Sequence, residues 1–167
     1  MEEKKKKSSY ISARESRRIT RFNRRITRKL EAQRASAGRD PKLYTTRMKD
    51  ENNVVEFDNM CTYFFTDVGT VRAVDGVSFE VPKHSTVGVV GESGCGKSVT
   101  SLSLMQLLQR PNGQVVGGEI RYNREDGTAY NIANVPNAVM EKIRGNNISM
   151  IFQEPMTSLN PVFRIGM

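Results

Sequence analysis

Apolar residues fall along this chain in two rhythms, and each rhythm predicts a type of element. Between residues 13 and 37 the large apolar positions are Ile19, Phe22, Ile26 and Leu30, three and four residues apart, with arginines filling the faces between them. That is the period of an α-helix carrying one apolar stripe. Ser12 followed by Glu15 fits a capping box, and Gly38 with Pro41 supplies a stop, so the helix is placed from about Ala13 to Ala37. NVVEFDNM (53–60) and TVRAVDGVSFEV (70–81) read as strands, the second with a bulge or turn at Asp75-Gly76. STVGVVG (85–91) is a short apolar run bounded by glycine, the pattern of a strand buried on both faces. A helix follows from about Lys97 to Leu108, ended by Arg110-Pro111-Asn112-Gly113. Beyond it come a strand VVGGEIRYN (115–123), a polar stretch around Glu125-Asp126-Gly127, a short helix from about Ala138 to Arg144, and a strand NISMIFQ (147–153).

Charge divides this picture in two. Residues 1–50 carry 17 Lys or Arg against 6 Asp or Glu, a net +11; residues 51–167 carry 9 against 12, a net −3; together they give the +8 of the whole chain. Residues 1–50 are therefore read as a basic, partly helical or disordered extension, and residues 51–167 as the motif-bearing body. A basic amphipathic helix over residues 12–37 suits an anionic membrane surface, a phosphate backbone or a protein partner. Nucleic acid is disfavoured, because the body has no basic groove interleaved with aromatics. Cys61 and Cys95 are the only cysteines, too few for a disulfide framework or a four-thiolate metal site, so a reducing cytoplasm is the default compartment. No run approaches the roughly 18 apolar residues of a membrane span, and no apolar segment of signal-peptide type follows the basic start.

The chemistry lies between the apolar strand and the apolar helix. GESGCGKS (91–98) fits the pattern G-x-x-x-x-G-K-[ST], with Gly91, Gly96, Lys97 and Ser98 at the required places and Gly94 in addition. A loop that wraps a phosphate must turn successive backbone N–H groups inward, and side chains at Gly91, Gly94 and Gly96 would obstruct this. Glu92, Ser93 and Cys95 complete the loop. The helix that follows aims its positive end at the anion, Lys97 neutralises terminal phosphates, and the Ser98 hydroxyl is placed to ligate Mg2+. The loop is expected to hold a nucleoside triphosphate.

AVDGVSFEV, VGVVGESGCGKSVTSLSLMQLL and IRGNNISMIFQEPMTSLNPV together resemble the first half of the ATP-binding subunit of an oligopeptide or dipeptide ABC transporter. The resemblance covers residues 53–167. It implies an α/β fold with a P-loop NTPase (RecA-like) core, an antiparallel β subdomain of the ABC ATPase type, and C-terminal truncation, preceded here by the basic helix. It implies ATP and Mg2+ as cofactors, with Phe64 as the aromatic that stacks on adenine, Tyr63 and Phe65 remaining open in that role. Gly91 through Ser98 match the Walker A loop, and Gln153 matches the Q-loop glutamine that contacts Mg2+ and the attacking water. Glu154 to Pro161 resemble the start of the helical subdomain that meets the permease. The partners implied are transmembrane permease subunits, a second ATP-binding subunit in a homo- or heterodimer and, indirectly, a substrate-binding protein, at the cytoplasmic face of a bacterial cell membrane. Peptide import is the function implied; importers of nickel or other solutes use similar ATPases, and a basic nucleic-acid-binding P-loop protein is the reading from another class.

The chain also departs from the family pattern. Lys83-His84-Ser85-Thr86 replaces the usual Gly-Glu turn, so His84 is expected to be a turn residue. The family's signature motif, Walker B strand with its catalytic glutamate, and switch histidine all lie beyond Met167. No catalytic residue is thus expected among these 167, which should bind Mg-ATP weakly without turning it over. The runs TVGVV and ISMIF are expected to lack sheet partners and to lower stability.

Overall fold

In the computed structural model of the chain, residues 11–124 and 126–153 are described. Helix α1 spans Ala13–Ala37, as the apolar period and the Ser12 and Gly38 signals predict, and the Ser12 side chain accepts the Glu15 N–H at 3.3 Å. Its docking face differs from the predicted one. The fully buried residues of α1 are Asn23, Thr27 and Ala37, whereas Phe22 of the apolar stripe is 62% exposed. Asn23 Nδ2 donates to the Thr66 carbonyl at 2.8 Å, and Arg34 donates to Gln114 Oε1 and the Ala133 carbonyl. These partners lie 43 to 99 residues away, where a local period carries no information.

Past a 3-10 turn at Pro41–Leu43, the chain builds one five-stranded antiparallel sheet in the order β1-β5-β4-β2-β3. The strands are β1 Thr45–Thr46, β2 Asn53–Thr66, β3 Gly69–Pro82, β4 Gly113–Asn123 and β5 Ala129–Asn131. β1 and β5, two and three residues long, were beneath the reach of a period-two pattern. The core beside the sheet holds Met60, Ile120, Ile132, Val135 and Met140, the last from helix α3, Asn137–Ile143. Phe57 stacks on Phe79 across β2 and β3, with ring centroids 4.3 Å apart.

Both long strand pairs are bulged. Between β2 and β3 the register shifts between Thr62↔Val74 and Met60↔Val77, so that Asp75 and Gly76 stand opposite the single residue Cys61, where the sequence predicts a bulge. Between β2 and β4 it shifts from Asp58↔Glu119 to Cys61↔Gly117, around Gly118. Gly118 has φ +73°, and a Cβ there would lie 2.2 Å from the Asn59 carbonyl oxygen. Gly118→Ala is therefore expected to cost about 3 kcal/mol or more, because backbone and not a flexible side chain must move. Gly127→Ala, at φ +78° with nothing within 4 Å, should cost only about 1 kcal/mol. Urea unfolding of the two variants measures the difference.

Two predicted strands are absent. Residues 85–90 belong to no strand or helix, with Val90 92% exposed, and residues 147–153 make only one parallel bridge, Arg144↔Ile148, with Ile151 92% exposed. A strand buried on both faces needs neighbours on both edges and cover above and below; neither segment finds them among the described residues. Helix α2 is Lys97–Leu104, shorter than predicted, because Gln106 turns to φ +51° and its amide caps the Ile132 and Val135 carbonyls. His84 sits in the predicted turn, at φ +56°. The predicted permease-facing segment from Glu154 to Pro161 lies outside the described residues.

Candidate functional site

The loop Gly91–Ser98 follows the irregular 85–90 segment and runs directly into α2. Gly96 caps the helix at φ +100°, and a Cβ on it would stand 2.6 Å from the Ala73 carbonyl oxygen of β3. Only glycine lets the loop rest this closely on the edge strand. The helix start is pinned by Thr100, whose Oγ1 donates to the Gly96 carbonyl at 3.1 Å, and α2 is tied to the sheet by Thr62 Oγ1 and Ser103 Oγ, 2.9 Å apart and buried.

Within the loop, the Cys95 N–H donates to the Glu92 carbonyl at 3.3 Å. The N–H groups of Ser93, Gly94, Gly96, Lys97 and Ser98 donate to no protein acceptor among the described residues. Five unspent donors at the positive end of a helix form an anion cradle. The Lys97 ammonium folds over the same loop, donating to the Gly91 carbonyl at 2.6 Å and the Glu92 carbonyl at 2.7 Å, with Cys95 Sγ at 3.6 Å. Ser98 is exposed, and among the described residues its hydroxyl makes no hydrogen bond. The donor set of backbone N–H groups, one ammonium and one free hydroxyl fits a polyphosphate.

The remaining predicted residues stand apart from the loop. The Phe64 ring packs over Gly113 beside Leu108, past the C-terminal end of α2, whereas the loop lies at its N-terminal end. Phe65 is buried. Tyr63 donates its hydroxyl to Asp75 Oδ1 at 2.6 Å, and the Arg72 guanidinium lies 5.5 Å from its ring and 3.3 Å from Asp75 Oδ2. The hydrogen bond to Asp75 raises the Tyr63 phenol above its ordinary value and holds the Asp75 carboxyl below its own. Arg72 and Asp75 flank Ala73, on which the loop rests, and sequence reasoning did not single them out; the bulge at Asp75-Gly76 was the available signal. Gln153 is exposed and makes no hydrogen bond to Ser98 or the loop among the described residues. No group of three or more His, Cys, Asp or Glu that could hold a metal ion occurs among the described residues.

Comparison with known proteins identifies the family. A family profile described as ABC transporter matches residues 74–166, which include the whole loop and imply nucleotide binding. The chain is 49% identical over 115 residues to the oligopeptide transport ATP-binding protein AppD of Bacillus subtilis, covering 69% of this chain and 34% of that protein. It is 44% identical over 119 residues to the glutathione import ATP-binding protein GsiA of Pectobacterium atrosepticum, 71% of this chain and 19% of that protein. It is 46% identical over 113 residues to the dipeptide transport ATP-binding protein DppD of Bacillus subtilis, 68% and 32%. The chain thus spans about a third or less of the length of these curated relatives.

Proposed function

The chain belongs to the ABC transporter family, and on that premise we propose that it is the phosphate-binding portion of an ATP-binding subunit that drives peptide import. The observation that carries the reading is the Gly91–Ser98 loop, with its free N–H groups, the Lys97 ammonium and the start of α2 converging on one place. Peptides are the substrate class because the similar proteins AppD and DppD are named for oligopeptide and dipeptide transport.

In this reading Lys97 holds the terminal phosphates and the free backbone donors of Ser93, Gly94, Gly96, Lys97 and Ser98 orient them. Ser98 and Gln153 are the residues that would hold Mg2+, which would supply positive charge to offset that of the polyphosphate. The free Ser98 hydroxyl suits Mg2+, which takes most of its ligands from phosphate and water. Tyr63, on the strand paired with β3 where the loop rests, is taken as the adenine platform, because Phe64 packs past the opposite end of α2. Hydrolysis belongs to the whole subunit, acting as a homo- or heterodimer on transmembrane permease subunits fed by a substrate-binding protein. The place of work is the cytoplasmic face of the membrane. Among the described residues no helix is long and apolar enough to cross a membrane, so attachment would run through the permease or the surface of α1.

Cys95 supplies the test. Its thiol is exposed inside the loop, whereas Cys61 is half-buried and serves as an internal reference. Mg-ATP is expected to protect Cys95, and not Cys61, from maleimide, with Mg-GTP protecting only at higher concentration. Absence of protection at saturating Mg-ATP would remove the nucleotide reading. Unchanged uptake of labelled oligopeptides in cells lacking the gene would remove the transport reading alone.

A further inference from the structure

We propose that the outward face of α1 is a docking surface for an anionic lipid bilayer. The inference stands independently of the transported substrate. Arg14, Arg18, Arg21, Arg25 and Lys29 follow one another at spacings of four, three, four and four, which places them in a single line along the helix, and all five are exposed. Phe22, 62% exposed, stands at the margin of that line, with the half-buried Ile26 one turn further on. The helix runs about 37 Å, long enough to lie flat across several headgroups.

The opposite face is committed elsewhere. Asn23 is buried on Thr66, and Arg34 is held against Gln114 and Ala133, so the basic line cannot turn inward. Of the two acids in α1, Glu31 is engaged by Arg34 at 3.2 Å and by the Gln114 amide at 2.7 Å, which leaves only Glu15, in the first turn, to offset the outward charge. The surface is therefore presented by a docked helix, with five cations against the single carboxylate of Glu15.

Phe22 separates the two polyanions such a surface could meet. A nucleic-acid backbone would neutralise the arginines and leave the ring in water. A bilayer accepts both, phosphates at the basic line and the ring at the headgroup–acyl boundary, which is the arrangement of an interfacial amphipathic helix.

Flotation of the full 167-residue chain tests this, using vesicles of phosphatidylcholine alone and of an equal mixture with phosphatidylglycerol; aggregated protein does not float. The chain should rise with the mixed vesicles, stay down with phosphatidylcholine alone, and be released by high salt. Phe22→Ser should weaken binding about tenfold at unchanged charge. Arg21→Gln combined with Arg25→Gln should weaken it about 30-fold, at about fivefold for each cation. All three positions are exposed, and circular dichroism confirms that the variants keep the helix. Failure of the folded chain to float with the mixed vesicles overturns the proposal. So does flotation of Phe22→Ser equal to that of the unaltered chain, or tighter binding to single-stranded RNA that ignores Phe22→Ser, which would make the face a nucleic-acid site.

Discussion

Lys97→Ala is expected to weaken Mg-ATP binding by about 100-fold while leaving thermal stability within about 0.5 kcal/mol of the unaltered chain. The asymmetry follows from where the ammonium sits. Its partners are the Gly91 and Glu92 carbonyls of an exposed loop, which water can satisfy once the side chain is gone, so the fold loses little. A polyphosphate loses a charge-assisted donor worth about 1.5–3 kcal/mol per bond, and the helix end with its N–H groups replaces only part of that. Lys97→Arg restores charge but not a compact ammonium that fits within the loop, and should recover affinity only in part. Titration with a fluorescent ATP analogue reads all three proteins. Equal affinity in Lys97→Ala would mean that the loop does not hold phosphate.

The second large effect lies outside the loop, at Glu56. Its side chain is almost wholly buried, yet it is fully engaged: Oε1 accepts from the Lys49 and Asp50 N–H groups and from Asn53 Nδ2 at 3.1, 2.9 and 3.0 Å, and Oε2 accepts from Lys49 N–H at 2.9 Å. Arg121 lies 3.5 Å from Oε2 and also pairs with Asp58 and Glu119. The carboxylate thus closes the turn before β2 and anchors the C-terminal end of β4 at once. Glu56→Ala removes the acceptor of two backbone donors and one amide and leaves Arg121 short of a buried counter-charge, so a loss of about 3–5 kcal/mol is expected. Glu56→Gln, which keeps an acceptor oxygen, should lose less. Urea unfolding measures both.

The same cluster sets the response to acid. Burial pushes the Glu56 pKa up, but the Lys49, Asn53 and Asp50 donors and the Arg121 charge together carry it below the ordinary carboxylate value. Asp58 is lowered likewise, by hydrogen bonds from Lys49 and then Arg121. A pKa depressed in the folded state gives stability that is complete above the unfolded value and is lost as pH falls through the folded one. The chain should therefore weaken only below the usual carboxylate range, and Glu56→Ala should show a shallower loss there.

What the sequence disclosed depended on the range of the interaction involved. The Gly91–Ser98 loop was legible because its glycines, lysine and serine must stand at fixed spacing for one loop to form. Helix α1 was legible to its ends because caps act within four residues. The antiparallel strands β2, β3 and β4 showed their apolar residues and their Asp75-Gly76 bulge locally. Docking of α1 through Asn23 and Arg34 was not legible, since their partners Thr66, Gln114 and Ala133 carry no mark of it in their own neighbourhoods. Residues 85–90 and 147–153 are apolar in the way buried strands are, but they form no strand here, because a strand is made by its neighbours and composition does not say whether they are present. Among the three adjacent aromatics, only the structure distinguishes Phe64 over Gly113 from Tyr63 on Asp75.

Attachment of the basic helix by hydrogen bonds at Asn23 and Arg34, with Phe22 left outside, also governs how the molecule comes apart. Lifting the helix N-terminal to Ala37 would uncover little hydrocarbon, so it would carry a small heat-capacity change and a weak denaturant dependence; melting the sheet would carry both in full. Helix and sheet therefore differ in sensitivity, the sheet responding steeply to temperature and denaturant and the helix weakly, and the helix can be released without loosening the sheet.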